Sequence, residues 1–311
     1  MSTLPAAVTV GVFDGFHRGH ARVLERARAR ADAAAGRLVA VTFDRHPQSV
    51  LSPRTGPPAL ASRAETVDRL REAGADEVRV VRFDAALAAK APLRFLADHV
   101  FPFHRLAALV VGHDFAMGRE RRGTAAALAG LGRRFGFRVE SVDAVIEGGE
   151  AVSSSRIRGL LAAGDVAAAA RCLGRPYALG GTVVPGEGRG RTLGFPTANL
   201  AVDLRRLRPA RGVYAVRVAA PGLEAPGVAN IGLRPTFGEG VETVEVHLFG
   251  SPGDLVGIRL SVTLVERLRP ELKFKDANEL KQQIRRDAAR ARFLLGEGGN
   301  GQNHLEPRGG R

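Results

Sequence analysis

Two histidines three residues apart, His17 and His20, close the decapeptide Gly11-Val12-Phe13-Asp14-Gly15-Phe16-His17-Arg18-Gly19-His20. An apolar run, Val8-Thr9-Val10, precedes it and a segment patterned as a helix follows. A glycine-bearing turn between a strand and a helix start makes a phosphate seat. Gly11 and Gly15 let the backbone come close, Phe13 and Asp14 line the turn, and the first helical N–H groups and the helix dipole favour negative charge. Two imidazoles at its mouth can donate to one phosphoryl group. Transfer at phosphorus is mostly positioning and charge stabilisation, so such donors suffice without a covalent nucleophile. The same residues also suit an ordinary strand–helix junction with locally satisfied histidines, and other patterns must decide.

Three further sets of residues could do chemistry. Val152-Ser153-Ser154-Ser155-Arg156-Ile157-Arg158 puts hydroxyls at a helix start and an arginine one turn on, which suits either a helix cap or a polyphosphate clamp. Gly186-Glu187-Gly188-Arg189-Gly190-Arg191-Thr192-Leu193-Gly194-Phe195-Pro196-Thr197-Ala198-Asn199 begins as a glycine-rich hairpin and ends with neutral oxygens on Thr197 and Asn199. A hairpin does not account for the Phe-Pro-Thr-Ala-Asn that follows, whereas backbone N–H groups approaching phosphates and a sparse oxygen set for Mg²⁺ would. Val241-Glu242-Thr243-Val244-Glu245-Val246-His247 alternates as a strand, with Glu245 on the face of Thr243 and His247 and Glu242 opposite.

These residues need elements to hold them. The first half alternates strand-like runs (8–13, 38–43, 77–83, 106–112, 137–145) with helical patterns (19–35, 62–73, 91–100, 124–135), the first helix carrying Val23, Leu24, Ala27 and Ala31 on one face. That order predicts a doubly wound parallel sheet with its ligand at the carboxyl ends of the strands, where the decapeptide and Gly112-His113-Asp114-Phe115 both fall. Helices near 154–163 and 165–173 close this half. From Gly180, short β runs (181–185, 212–219, 226–231, 241–249, 257–268) with no helix between them predict an antiparallel barrel or sandwich. A last helix over 276–295 is expected to turn Leu280, Ile284, Ala288 and Phe293 or Leu294 inward. The expected division is 1–178, 179–295 and a disordered Gly-rich tail, 296–311.

Bulk composition narrows the class. The 311 residues are 45% hydrophobic and 25% charged, as in a globular protein of two domains. No apolar run of roughly 18 residues occurs, so no membrane span is expected, and no secretory signal is expected from the first residues. The single Cys172 excludes an intrachain disulfide and reads as a small buried apolar side chain. The net charge of +14 comes almost wholly from scattered arginine without aromatic interleaving; it suits attraction of polyphosphates better than nucleic-acid binding. A cytoplasmic location is expected.

The chain resembles a known family. The decapeptide matches the Gly-x-Phe-Asp-Gly-x-His-x-Gly-His signature of the nucleotidyltransferase superfamily, and Ser-Ser-Ser-Arg-Ile-Arg is similar to its second motif. The segment 186–199, the Glu-x-His at 245–247, Val228–Phe237 and Arg267–Pro270 resemble riboflavin kinases. Taken over 1–295, the order is that of the bacterial bifunctional riboflavin kinase/FMN adenylyltransferases, which implies a nucleotidyltransferase domain followed by a β-barrel kinase domain and a C-terminal helix. By position, the resemblance implies that His17 and His20 stabilise the transition state at the ATP α-phosphate. Ser154, Ser155 and Arg158 would hold the triphosphate, and Asp114 would help position FMN or the nucleotide. Gly186, Arg189, Gly190 and Gly194 would shape the kinase ATP loop, with Thr197 and Asn199 on Mg²⁺ and Glu245 as base. His46-Pro47 also matches a family loop. Riboflavin, FMN, FAD and ATP are the implied partners. The chain departs from the pattern at Ser155 (threonine is usual), at Arg45 (proline), and at Gly250 and Val256 (often Asp and Tyr). A nucleotidyltransferase acting on nicotinamide mononucleotide or phosphopantetheine would leave 186–247 unexplained, and an inactive flavin- or nucleic-acid-binding relative would be expected to have lost some of these residues.

Overall fold

All six residues of strand β1, Pro5–Val10, are buried. That follows from their place at the centre of a five-stranded sheet. The computed structural model describes residues 4–297 apart from 53, 187, 235–240 and 251–252, and of Arg189, Arg234 and Val241 the backbone only. With β2 (Arg37–Phe43), β3 (Glu77–Val81), β4 (Arg105–Gly112) and β5 (Arg138–Val142), β1 forms a wholly parallel sheet of order β3-β2-β1-β4-β5. Alternate residues feed two cores. Val8, Val10, Val39, Val41, Leu109 and Val111 pack on one face, and Ala7, Leu38, Ala40, Ala108 and Val110 on the other. This is why the strands read as unbroken apolar runs.

The strand order reverses between β1 and β4, which opens a crevice at their carboxyl ends. The helix Arg18–Ala33 starts there, and its buried residues are Val23, Leu24, Ala27 and Ala31, as the spacing predicts. The strand expected over 8–13 stops at Val10 because the chain turns out of the sheet into the loop that carries the histidines. Two short helices, Pro47–Leu51 and Ala85–Ala88, fall in segments too brief to show a helical period.

The second half is a closed antiparallel barrel. Its strands are β6 (Ala178–Val184), β7 (Ala198–Val202), β8 (Gly212–Ala220), β9 (Leu223–Arg234), β10 (Val241–Leu248) and β11 (Arg259–Arg269), in the order β6-β7-β10-β9-β8-β11. Leu200, Val216, Ile231, Val244, Val246 and Val262 fill its interior, and Val213 and Ala215, on the outer face of β8, pack against Ala291 and Leu295 of the last helix.

Three expectations need correction. Strand β7 was not anticipated, because its Ala-Asn-Leu-Ala-Val lacks the β-branched density that marks a strand. A helix does interrupt the β run: Arg189–Leu193, bracketed by Gly188 and Gly194 at φ 72° and 84°. In the last helix, Ala277–Leu294, Phe293 is 79% exposed and Leu294 is exposed, while Ala291 and Leu295 are buried. The inward stripe continues in four-residue steps through 287/288, 291 and 295, and it includes Asp287, whose carboxylate takes Arg269 on both oxygens at 3.0–3.1 Å. Cys172 is buried, as expected.

By contacts the chain divides into two units, one of residues 1–158 with 172–174 and 205–207, the other of 159–171, 175–204 and 208–311.

Candidate functional site

The first cradle is built on strained, packed backbone. Gly11 N–H still reaches Val41 O at 3.0 Å, extending the ladder one residue past β1. Phe13 and Phe16 then adopt left-handed φ values of 52° and 40°, which a side chain tolerates only where surroundings enforce it. Both rings are buried, which supplies the enforcement. Gly15, at φ 77°, has Leu60 so close that a Cβ would lie 2.9 Å from Cδ1.

Asp14 fixes this loop to its neighbours. Its carboxylate accepts from the N–H groups of Leu60 (2.9 Å) and Ala61 (3.1 Å) and pairs with the guanidinium of Arg158. Arg158 Nε donates to Pro58 O at 2.9 Å, and Ser154 Oγ donates to Asp14 O at 2.9 Å. The loop and the Ser-Ser-Ser-Arg-Ile-Arg helix start are therefore one hydrogen-bonded assembly, with Asp14 and Arg158 both largely buried within it.

His17 caps the first helix: its Nδ1 accepts from His20 N–H at 3.3 Å. In the neutral ring the hydrogen must then sit on Nε2. A Cβ on Gly19 would lie 3.1 Å from the His17 ring, so glycine there lets the imidazole lie flat against the helix. The His17 and His20 rings stack, with centroids 3.6 Å apart and planes 17° from parallel. Burial first, and then His17, hold the His20 imidazole well below its ordinary value, and its Nδ1 is buried without a hydrogen-bond partner. Two stacked imidazoles at the start of a helix are suited to donating hydrogen bonds to negative charge that develops there.

His46 lies within electrostatic reach of this assembly. Its Nδ1 accepts from Gln48 N–H at 3.2 Å. Its value is lowered by burial and then by the nearby Arg158, with Asp14 opposing. Ser155 and Asp114 are exposed, the latter at the end of β4 with its carboxylate over Gly112. Among the described residues, no hydrogen bond joins either side chain to His17 or His20.

The second cradle is assembled by strand register. Asn199 of β7 pairs with Glu245 of β10, and Glu245 pairs with Asn230 of β9. Directly opposed residues share a face. Thr243, Glu245 and His247 share one face, as the alternation predicts, and because Val244, Val246 and Leu248 are buried in the barrel that face is the outer one. Sequence reasoning gave Asn230 no role. The alternation Ala229-Asn230-Ile231, with both neighbours fully buried, was the signal that it shares this outer face.

The glycine-rich segment lies down over that row. A Cβ on Gly186 would fall 2.1 Å from Asn199 Nδ2, and one on Gly190 would fall 2.3 Å from Phe195 O and 3.2 Å from Thr197 Oγ1. Phe195 N–H donates to Gly190 O at 2.8 Å. His247 Nδ1 donates to Pro196 O at 2.9 Å. Glu187 and the Arg189 side chain lie outside the described residues. Among the described residues, no group of three or more His, Cys, Asp or Glu gathers as a metal cluster. The donors here are a hydroxyl and an amide beside glycine backbone, in a space that any Cβ would fill. That set fits a hard cation whose coordination is completed by phosphate and water.

Known proteins match this chain in both halves. The FAD synthetase family model matches residues 2–156, and the riboflavin kinase family model matches residues 173–295. Proteins named bifunctional riboflavin kinase/FMN adenylyltransferase are similar over nearly the whole length. That of Escherichia coli K12 is 38% identical, covering 93% of this chain and 92% of its own. That of Pseudomonas fluorescens is 40% identical (92% and 92%), and that of Bacillus subtilis 34% (92% and 91%). Among solved structures, one described as a macrolide-efflux protein from Streptococcus pneumoniae superimposes with a TM-score of 0.84 at 30% identity, covering 92% of this chain and 94% of that one. Among the described residues no helix is long and apolar enough to cross a membrane.

Proposed function

The chain belongs to the family of bifunctional riboflavin kinase/FMN adenylyltransferases, and we propose that its two reactions are divided between the two cradles. One reaction moves the γ-phosphoryl group of ATP to riboflavin, giving FMN. The other joins the adenylyl group of a second ATP to FMN, giving FAD and releasing pyrophosphate. We assign the kinase to residues 179–295 and the adenylyl transfer to residues 1–178.

In the kinase, Glu245 accepts the proton of the ribityl hydroxyl as its oxygen attacks the γ-phosphorus. Thr197 and Asn199 would hold Mg²⁺, which when bound neutralises charge on the ATP phosphates. Gly186, Gly190 and Gly194 bring backbone N–H groups to those phosphates without side chains in the way, and Arg189 adds positive charge from the same loop.

In the adenylyl transfer the attacking FMN phosphate is already anionic, so the protein supplies alignment and charge neutralisation and no nucleophile. His17 donates through Nε2–H, and His20, beside it, meets the same α-phosphoryl group. Arg158, aimed by Asp14, and the hydroxyls of Ser154 and Ser155 hold the departing pyrophosphate. Gly11, Phe13 and Gly15 shape the seat, and Asp114 lines its rim. Two ATP-consuming steps suit a cytoplasmic location, where ATP is supplied.

The observation that carries the kinase half is the row Asn199–Glu245–Asn230, which sets the proposed base directly beside a proposed metal ligand. Incubating the protein with riboflavin, Mg²⁺ and ATP labelled at the γ-phosphate tests it. Glu245→Ala is expected to lower labelled FMN by about 10²–10⁴-fold while supplied FMN still becomes FAD. Phosphorylation at the unsubstituted rate would overturn the assignment.

A further inference from the structure

His247 lies two residues beyond Glu245 on the outer face of β10, and neither reaction as described gives it a task. Its ring is nevertheless fixed on three sides. Nδ1 sits 2.9 Å from Pro196 O. Phe195 meets the ring edge-on, with centroids 5.5 Å apart and planes at 81°. Phe249 also meets it edge-on, at 5.9 Å and 72°. Phe249 is itself buried and covered by the Arg292 guanidinium, 4.0 Å from its centroid.

A carbonyl oxygen only accepts, so Nδ1 must carry the hydrogen. The carbonyl it holds belongs to the peptide that joins Pro196 to Thr197. Proline has no N–H with which to anchor its own backbone and a fixed φ, so the bond from His247 sets the peptide plane from which Thr197 starts. Two residues later comes Asn199, already in register with Glu245.

We propose that His247 is a positioning residue of the riboflavin kinase. Through Nδ1–H it fixes the Pro196–Thr197 peptide and so aims the oxygens of Thr197 and Asn199 at the metal and nucleotide. The inference rests on placing phosphoryl transfer at Glu245, Thr197 and Asn199. It says which ring nitrogen acts, which a substrate-contacting or purely packing role would not specify.

The two amide side chains separate these roles. The nitrogen of asparagine can occupy the place of Nδ1, and that of glutamine the place of Nε2. Riboflavin phosphorylation is followed against Mg·ATP concentration for His247→Leu, His247→Asn and His247→Gln, with conversion of supplied FMN to FAD by the same preparations reporting that the chain is folded. Loss of one neutral hydrogen bond is expected to raise the KM for Mg·ATP roughly three- to tenfold in His247→Leu and His247→Gln, with kcat changed less. His247→Asn is expected to stay within about twofold of the unsubstituted protein. Equal behaviour of the Asn and Gln variants, rescue by Gln alone, or a fall in kcat at unchanged KM would each overturn the proposal. Should the Leu variant fail to fold, the Asn–Gln contrast still decides. Thr197→Ala run alongside tells the two levels apart. If it leaves the kinase untouched, the placing of the kinase site fails; if it raises KM while His247→Leu does not, only the role of His247 fails.

Discussion

The two proposed phosphate cradles are built by opposite means. At the end of the parallel sheet, one continuous decapeptide supplies most of the site. Buried Phe13 and Phe16 force it into left-handed backbone, and the Asp14 carboxylate ties it to Leu60, Ala61 and Arg158. On the barrel, the proposed functional groups come from three strands and a loop. They meet because register puts Asn199, Glu245 and Asn230 in one row and because glycines let the loop lie on it. The first site is preorganised by side-chain hydrogen bonds that a single substitution removes. The second has one such bond, from His247 to Pro196 O, but depends chiefly on space left by glycine, so adding an atom also spoils it.

The sharpest way to break this comparison is at His20. Alanine there removes a proposed donor and the stacking partner of His17, so FAD formation from FMN is expected to fall by about 10²–10³-fold, with riboflavin phosphorylation unchanged and FMN accumulating on chromatography. Loss of both steps in a folded protein would mean that the division is wrong.

Next in size is Asp14→Asn. It leaves the largely buried Arg158 without its carboxylate and is expected to cost about 3 kcal/mol of unfolding stability, read by denaturant titration, together with a weakened adenylyl transfer. Gly186→Ala is the counterpart on the barrel. Its Cβ would fall 2.1 Å from Asn199 Nδ2, so the amide must move; the KM of the kinase for Mg·ATP is expected to rise about tenfold, with FAD formation from FMN as before.

The smallest expected effect is one of pH. His20 is held below its ordinary value of 6.5, so the unfolded chain takes up a proton that the folded chain refuses. The stability this contributes is present above the unfolded value and is lost as pH falls below it, by at most ~1.4 kcal/mol per pH unit. Compared with His20→Gln, the unsubstituted protein should lose more of its melting temperature on acidification; equal losses would contradict the burial argument.

Sequence legibility follows the same contrast. The decapeptide, the first helix with Val23, Leu24, Ala27 and Ala31, and the buried parallel strands are local patterns, and the structure places them as expected. That Glu245 shares a face with Thr243 and His247 was equally legible, because period two is local. Register is not local: nothing in the chain's spacing opposes Asn230 to Glu245, and β7 is too poor in β-branched residues to announce itself. The role of Asp14 was hidden for a related reason, since its partners lie 46, 47 and 144 positions away. In the last helix, Phe293 and Leu294 suggested the wrong face because hydrophobicity was weighed over phase; the buried Asp287, paired with Arg269, marks the true one.

The central claim, that two separate places on one chain each bind a nucleotide triphosphate, is tested most directly by calorimetric titration with a non-hydrolysable ATP analogue and Mg²⁺. Two sites per chain are expected in the unsubstituted protein, with Arg158→Ala removing one and Thr197→Ala the other. A single site abolished by either substitution would contradict it.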